Sequence, residues 1–186
     1  MKFLRLLVLG LCFSVAVSCA HATTVIPPTF DQLVNEAEII FQGTVTEVNS
    51  HWVGEGADRH IMTYVTFKVD DSLKGAPGNT YTIRMLGGTV GNETMEVSDT
   101  PTFKVGNRDI LFVEHNGSQF VPLVGIMHGR FHVQNDSAGR DVVATDDGTM
   151  LANVAKLGRD VRAASEGQPM SADSFKAAIL TKLANK

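Results

Sequence analysis

Cysteine is nearly absent from this chain, and the few positions that it occupies restrict the possible chemistry. Both cysteines, Cys12 and Cys19, lie within the first 22 of the 186 residues. Residues 23–186 therefore contain no disulfide, no cysteine nucleophile and no thiolate metal ligand. A domain of this size can fold without such cross-links, because a chain of ~150 residues buries roughly 68–70% of its unfolded surface.

Positive charge is also scarce. The chain has 16 Lys and Arg residues against 20 Asp and Glu residues, and two of the basic ones, Lys2 and Arg5, lie in the first 22 residues. Residues 23–186 thus keep 14 basic residues against 20 acidic ones, a formal charge of −6. Nucleic acids are bound by clustered Lys and Arg side chains. We therefore expect no nucleic-acid partner.

The apolar run at the start of the chain, from Leu6 to Val17, is shorter than the ~20 residues that a membrane span needs. A basic segment precedes it and Ala20-His21-Ala22 follows, which is the pattern of a signal peptide and its cleavage site. An uncleaved anchor is the alternative. We expect residues 1–22 to be removed, so that the mature protein begins at Thr23, is periplasmic or secreted, and does not associate with a membrane.

One long strand, from Ala37 to Val48, organises the remaining chain. Its apolar residues Ile39, Phe41 and Val45 alternate with Gln42, Thr44 and Thr46, which is the period of a half-buried strand. Gly43 interrupts the apolar face. A glycine inside such a strand predicts a bend, a bulge or a close backbone approach.

The other elements follow from turns and periodicity. Thr29 and Gln32 form a capping box for a short helix before the first strand. Asn116-Gly117 predicts a hairpin whose return strand is Gln119–Val124. Further predicted elements are strands at 61–69, 80–86, 94–97 and 110–114, a polar loop at 49–59, a hairpin of 131–134 with 141–145, and a C-terminal helix from Ser171.

Many short strands, a glycine-bent first strand and few helices favour an antiparallel barrel over a parallel sheet. We predict a mainly β fold, an OB-like antiparallel β-barrel with a short N-terminal helix and a C-terminal helix. A sandwich is the alternative. The barrel would comprise residues 23–150, and residues 151–186 would form a linker and an amphipathic helix.

Catalytic motifs are not recognisable. His128 and His132 are four residues apart, but on a strand that spacing spans ~13 Å, so the pair is a weak candidate for a metal site. The acidic pairs Asp70-Asp71 and Asp146-Asp147 lack the calcium-loop pattern, and we interpret them as solvated turn residues. We predict neither an enzyme nor a bound cofactor.

Trp52, in the predicted polar loop, is either a recognition residue or a side chain tucked over the end of the barrel. Gly87-Gly88 is a turn that ends the third strand. Both would lie in loops at one end of the barrel, and we take Trp52, Gly87 and Gly88 as candidate partner contacts.

Several segments in order carry a resemblance: TTVIPP, NEAEIIFQGTV, YVTFKVDDSLKG, YTIRMLGG and FKVGNRDILFV. This order resembles netrin-like OB domains, most closely the amino-terminal domain of the tissue inhibitors of metalloproteinases, and it is similar to exported bacterial proteins that share the pattern. The resemblance implies an OB fold and an extracellular zinc metalloprotease as partner.

In that family an amino-terminal cysteine chelates the zinc of the protease. The equivalent segment here is Thr23-Thr24-Val25, which has no cysteine. Signal cleavage would expose this segment just before two stiffening prolines, so we predict that the free amine of Thr23 takes that role. A disordered tail is the alternative.

A periplasmic small-ligand or metal-binding protein is the alternative function. It would use the face of the barrel and the loop region of His51, Trp52 and His60, and His128 and His132 are the alternative metal ligands.

Overall fold

The structure, a computed structural model, describes residues 26–185. Its helices are α1 (Phe30–Glu36), α2 (Val161–Ser165) and α3 (Ala172–Ala184), with short 3₁₀ turns at Gly56–Asp58, Ile126–Gly129 and Val154–Lys156. Its strands are β1 (Ile39–Val53), β2 (His60–Lys74), β3 (Thr80–Leu86), β4 (Gly88–Val90), β5 (Glu93–Met95), β6 (Arg108–Val113), β7 (Arg130–Asn135) and β8 (Asp141–Thr145).

Six strands form one antiparallel sheet in the order β3-β2-β1-β6-β7-β8, and β4 and β5 form a separate two-stranded sheet. The predicted mainly β, antiparallel class is confirmed. The sheet is not closed into a barrel, so the predicted closure is wrong. Within residues 26–185 the outer strands β3 and β8 do not pair with each other, because the loop after β6 covers the edge of β3 instead.

The central strands are buried on both faces of the sheet. In β6, Ile110 and Phe112 lie in a core shared with the helices, whereas Leu111 and Val113 lie in a second core against β2 and β3. Successive side chains of a strand point to opposite faces, so a continuous apolar run is what two cores require. The prediction of a buried central strand at 110–114 is therefore confirmed.

The helices close the first core. The capping box of Thr29 and Gln32 at the start of α1 is present, and Ser171 caps α3. Phe175 of α3 is fully buried, and its ring centroid lies 4.9 Å from that of Phe131 in β7. Burying one such ring contributes roughly 1.5–3 kcal/mol. The C-terminal helix thus shares its core with α1 and the sheet.

Gly43 lies at an irregularity in β1. The register against β2 shifts between Gln42 and Gly43. A Cβ atom at Gly43 would lie 2.8 Å from the carbonyl oxygen of Lys68, and real contacts of a Cβ are longer. Of the three predicted causes, the close backbone approach is confirmed.

Two predicted elements are wrong. The predicted loop at 49–59 is too long, because β1 continues to Val53 and only 54–59 connect it to β2. The predicted return strand at 119–124 is a loop with one isolated bridge between Val113 and Leu123. Asn116 accounts for the second error, since its side chain binds the backbone of Arg84 and Thr82 on β3 rather than shaping a two-residue turn.

Gly43→Val is expected to destabilise the protein far more than Thr44→Val. The valine would collide with the backbone of β2, and such overpacking costs about 1–3 kcal/mol or more. Thr44→Val loses one hydrogen bond, from Thr44 Oγ1 to Asp70 Oδ2 at 2.8 Å, worth about 1 kcal/mol. Urea denaturation of both variants measures the two changes. Equal urea midpoints for the two variants would show that a side chain at Gly43 is not sterically excluded.

Candidate functional site

The structure brings three of the candidate partner contacts together at the far end of the β1–β2 hairpin. Trp52 pairs with Ile61 across the hairpin, and the carbonyl of Ile61 accepts a 2.8 Å hydrogen bond from the backbone N–H of Gly87. Gly88 packs directly against the hydroxyls of Ser50 and Thr63. Trp52, Gly87 and Gly88 are therefore neighbours at this end of the hairpin, with Gly87 buried and the other two half-buried.

Trp52 is half-buried and lies on a strand rather than in the predicted loop. The guanidinium of Arg59 lies over its indole ring, 4.0 Å from the centroid. Such a stacked pair contributes about 0.5–1 kcal/mol at an exposed site. The indole is thus held in one orientation while part of its surface stays accessible.

A cleft opens beside the two glycines, and we call it the distal cleft. Its volume is about 480 Å³, and the β4–β5 hairpin forms one wall. The hydroxyl of Thr63 donates a 2.6 Å hydrogen bond to the carbonyl of Gly87. The same hydroxyl lies 2.8 Å from the hydroxyl of Ser50. The lining also includes Val48, Val65, Met85, Thr89, Thr94, Met95, Glu96, Val97, Ser98, Thr100, Thr102 and Phe103.

Neither glycine of the distal cleft tolerates a side chain. Both have positive φ angles, +95° for Gly87 and +128° for Gly88, which L-residues rarely adopt. A Cβ at Gly88 would overlap the hydroxyls of Thr63 and Ser50. The predicted end of the third strand at these glycines is confirmed, and Gly88 is the first residue of β4.

The proposed amino-terminal segment, Thr23-Thr24-Val25, lies outside the described residues. The first described residue, Ile26, is 82% exposed. Pro27 and Pro28, which follow it, line a different cavity from the distal cleft.

Sequence reasoning missed a cluster of charged side chains inside the protein. Arg130 is 2% exposed, and its Nη2 donates to Asp109 Oδ2 at 3.1 Å, while its Nη1 donates to Asp146 Oδ1 at 3.2 Å. Its guanidinium also lies 3.9 Å from the centroid of the Phe103 ring. Asp109 is fully buried. The only signal in the sequence was a charged residue near the start of each of two apolar strands, Asp109 in β6 and Arg130 in β7. These two strands pair with each other in the structure.

His132 joins this cluster. Its Nδ1 lies 2.8 Å from Asp109 Oδ1, and its Nε2 lies 3.3 Å from the backbone carbonyl of Asp146. The hydrogen bond with Asp109 raises the pKa of His132 above its usual value, although burial and the charge of Arg130 oppose that change. Burial raises the pKa of the Asp146 carboxyl, with Arg130 and His132 acting against it. Asp146 is thus not the solvated turn residue that we predicted.

The two histidines proposed as a weak metal pair have different surroundings. His128 lies in the 3₁₀ turn before β7 and is half-buried, and burial lowers its pKa. His132 lies on β7 and faces two carboxylates. Within residues 26–185 no group of three or more His, Cys, Asp or Glu side chains is arranged to hold a metal ion.

A second cavity lies next to the charged cluster, between the sheet and the C-terminal segment. Its volume is about 110 Å³, and we call it the Asp146 cavity. Its lining is mostly apolar, and its charged members are Arg130, Asp146 and Asp147. The apolar and neutral members include Pro27, Pro28, Leu33, Met127, Phe131, Met150, Leu151, Leu157 and Ala164.

Comparison with known proteins adds no assignment: no protein-family model matches the chain, and no curated protein or solved structure is detectably similar to it. Among the described helices, none is both long and apolar enough to cross a membrane.

Arg130→Met is expected to cost about 3–5 kcal/mol of unfolding free energy, because it leaves Asp109 buried without its guanidinium partner. The matched control is Arg140→Met, which breaks the exposed pair with Asp136 and should cost about 1 kcal/mol or less. Denaturant melts of both variants give the comparison. Similar losses of unfolding free energy in the two variants would show that the buried pair stabilises the protein no more than the surface pair does.

The pKa of His132 makes its contribution to stability depend on pH. Because that pKa is raised in the folded state, the contribution is complete below pH ~6.5 and is lost as the pH rises through the folded value. The difference in unfolding free energy between the wild type and His132→Gln should therefore shrink as the pH rises above ~6.5.

His128→Gln provides the control for this pH dependence. Burial lowers the pKa of His128, so the wild type loses stability relative to this variant as the pH falls below ~6.5. Two series of urea melts between about pH 5 and 9 should therefore show opposite slopes. Parallel slopes would contradict the environments assigned to the two rings.

Proposed function

We propose that this protein is an exported, non-enzymatic binding module that engages a protein partner through the distal cleft. The observation that carries this proposal is the cleft of about 480 Å³ lined by Gly87 and Gly88. That volume falls within the range of about 300–1,000 Å³ of ligand-binding clefts. Trp52 is not in its lining but lies nearby on β1, where it pairs with Ile61, the residue whose carbonyl accepts a hydrogen bond from the N–H of Gly87. The exposed part of an oriented Trp is a common anchor in protein interfaces.

The lining of the distal cleft favours binding over catalysis. Glu96 is the one titratable side chain in that lining, which otherwise consists of hydroxyls, glycines and apolar groups. General acid–base chemistry needs at least one group of tuned pKa within reach of a second. Hydroxyls and backbone amides beside apolar side chains instead suit a segment of extended polypeptide, which presents the same mixture.

An extracellular zinc metalloprotease is the partner that we propose. The support is the resemblance to the inhibitor family, together with the position of Pro27 and Pro28 directly after Ile26. Two prolines stiffen a segment, so less entropy is lost when the residues before them enter a cleft. The amine of Thr23 would coordinate zinc in its neutral form, which exists as a minor fraction at pH 7 since α-amino pKa values lie near 8.

The OB-like assignment belongs to the same proposal. Its support is that β1 pairs on one side with β2 and on the other with β6, and that β1 is interrupted at Gly43. In a closed barrel the free edge of β3 would pair with another strand. Here the loop after β6 lies along that edge. There Leu86 N–H donates to the carbonyl of Phe120 at 2.8 Å.

Trp52→Ala is expected to weaken partner binding at least ~10-fold, the effect of removing an interface anchor. His51→Ala is the matched control, because His51 is exposed and adjacent but points to the opposite face of β1, and it should change affinity less than ~2-fold. The assays are calorimetry and inhibition of a secreted zinc metalloprotease by the protein that begins at Thr23. Thermal melts verify that both variants are folded.

An acetylated amino terminus separates the two contact regions. Loss of inhibition with retained binding would assign zinc coordination to the amine of Thr23 and anchoring to the distal cleft. Undiminished inhibition by the acetylated form would show that the amine is not the inhibitory group. Absence of binding to any zinc metalloprotease in a panel would reject this partner class.

Small-ligand binding is the second function that we propose, and the Asp146 cavity favours it. Ligand sites are concave and mostly apolar, with a few convergent polar groups. The lining of this cavity meets that description.

A further inference from the structure

Only the first part of β1 has a partner on each of its two edges. The strand pairs with β2 as far as Val53, but with β6 only as far as Thr44. At Val45 the loop before β6 continues the second pairing, since Val45 N–H donates to the carbonyl of Asn107 at 2.8 Å and Gly106 N–H donates to the carbonyl of Val45 at 2.9 Å. Beyond that point, no backbone hydrogen bond within residues 26–185 reaches the outer edge of residues 47–53. We call this segment the free edge of β1.

The free edge is open to pairing with another strand. In an antiparallel strand every second residue directs its N–H and C=O to the same side, so these groups lack a protein partner on the outer edge. Glu47 and His51 are exposed, and the five other residues of the segment are half-buried. Proteins commonly protect such an edge with lysine or proline. Residues 47–53 contain neither.

The free edge is complementary to itself. Two copies related by a two-fold axis perpendicular to the sheet would pair antiparallel, with residues of the same face opposite each other. All seven residues are paired only when the axis passes at the midpoint of the segment, so that Ser50 faces Ser50 of the second copy. The other cross-strand pairs are then Glu47 with Val53, Val48 with Trp52 and Asn49 with His51.

The side chains in this register suit one another. Glu47 is the only Asp, Glu, Lys or Arg in the free edge, so like charges never lie opposite each other. An aromatic ring opposite a β-branched side chain is a favourable cross-strand pair. The symmetry produces two such pairs, each between Val48 of one copy and Trp52 of the other.

The segments beyond the free edge are also complementary. After Val53 the chain enters the tip of the β1–β2 hairpin, which carries Glu55 and Asp58. That tip would extend along the other copy toward its loop before β6, which carries Lys104 and Val105. Val105 is 66% exposed. Among the ion pairs of residues 26–185, none includes Lys104, so the acidic tip and this lysine would attract each other.

We propose that two copies of this protein associate through the free edge of β1, with their strands antiparallel and Ser50 at the two-fold axis. Closed two-fold dimers are the commonest oligomers of soluble proteins. The inference goes beyond the functions proposed above, because it concerns a strand edge rather than either cavity. Since Val48 and Ser50 also line the distal cleft, the second copy would lie beside that cleft.

Sedimentation equilibrium of the protein that begins at Thr23 gives the first test. We expect the weight-average mass to rise from that of one chain to that of two between ~1 µM and ~1 mM, the range of a weak specific dimer. A mass that stays at one chain throughout would overturn the proposal.

Disulfide cross-linking tests the register, because residues 23–186 contain no cysteine of their own. Directly opposite residues have Cα atoms ~4.5–5.5 Å apart, within the ~4.4–6.8 Å that a disulfide spans. Asn49→Cys mixed with His51→Cys should therefore form a mixed disulfide-linked dimer under mild oxidation. Each variant alone is the control, because its two cysteines would be diagonal neighbours at ~7–8 Å. Faster cross-linking of either variant with itself would overturn the register.

A charge swap tests the contact between Glu47 and Val53. Val53→Glu places two carboxylates opposite each other at both ends of the free edge, and it should raise the dissociation constant of the dimer ~5-fold or more at low salt. Val53→Gln is the matched control of equal size, and it should change the constant less than ~2-fold. Adding Glu47→Lys to Val53→Glu should restore dimerisation, which a folding defect would not allow.

Two further outcomes would contradict the proposal. Equal dissociation constants for Val53→Glu and Val53→Gln, without rescue by Glu47→Lys, would place the dimer contact on another surface. A protein that remains monomeric but loses affinity for a zinc metalloprotease on Val53→Glu would assign the free edge to a partner protein instead of a second copy.

Discussion

Burial of both faces of the central strands is the constraint on which the rest of the structure depends. β1 pairs with β2 along most of its length and with β6 from Ile39 to Thr44, so the first part of the strand has a partner on each edge. Its neighbour β6 is buried from Asp109 to Val113. A sheet covered on both sides needs apolar residues in succession rather than in alternation. The helices α1 and α3 cover the face that forms the first core. The second core, on the other face, is enclosed by β2, β3 and the loop after β6.

Arg130 connects the two halves of this arrangement. It pairs with Asp109 on the central strand, its guanidinium lies over Phe103 of the second core, and the next residue, Phe131, packs in the first core. Burial of such a charge is costly unless geometry and additional hydrogen bonds compensate it. Four acceptor groups surround this guanidinium, which fixes the positions of 102–109 and the turn at Asp146 relative to β7.

The same arrangement positions two cavities of different character. The distal cleft adjoins the second core and is lined mostly by hydroxyls, glycines and apolar groups, whereas the Asp146 cavity adjoins the first core and is mostly apolar, with Arg130, Asp146 and Asp147 in its lining. The cluster around Arg130 contacts both, since Thr102 lines the former and Asp146 the latter. A partner protein at one cavity and a small ligand at the other would therefore contact groups held by one guanidinium.

Local signals in the sequence were sufficient for most individual elements. The capping box at Thr29, the close backbone approach at Gly43 and the amphipathic C-terminal helix are signalled by residues close together in the chain, and each was predicted correctly. Long-range contacts decided the rest. Asn116 binds the edge of β3, and the charges of Asp109 and Arg130 pair across β6 and β7, because both partners in each case are brought together only by the folded sheet. The sequence by itself determined the antiparallel, mainly β class. Tertiary structure alone decided that the sheet stays open and that Asp146 lies beside a cavity, since edge pairing and burial arise from residues distant in the chain.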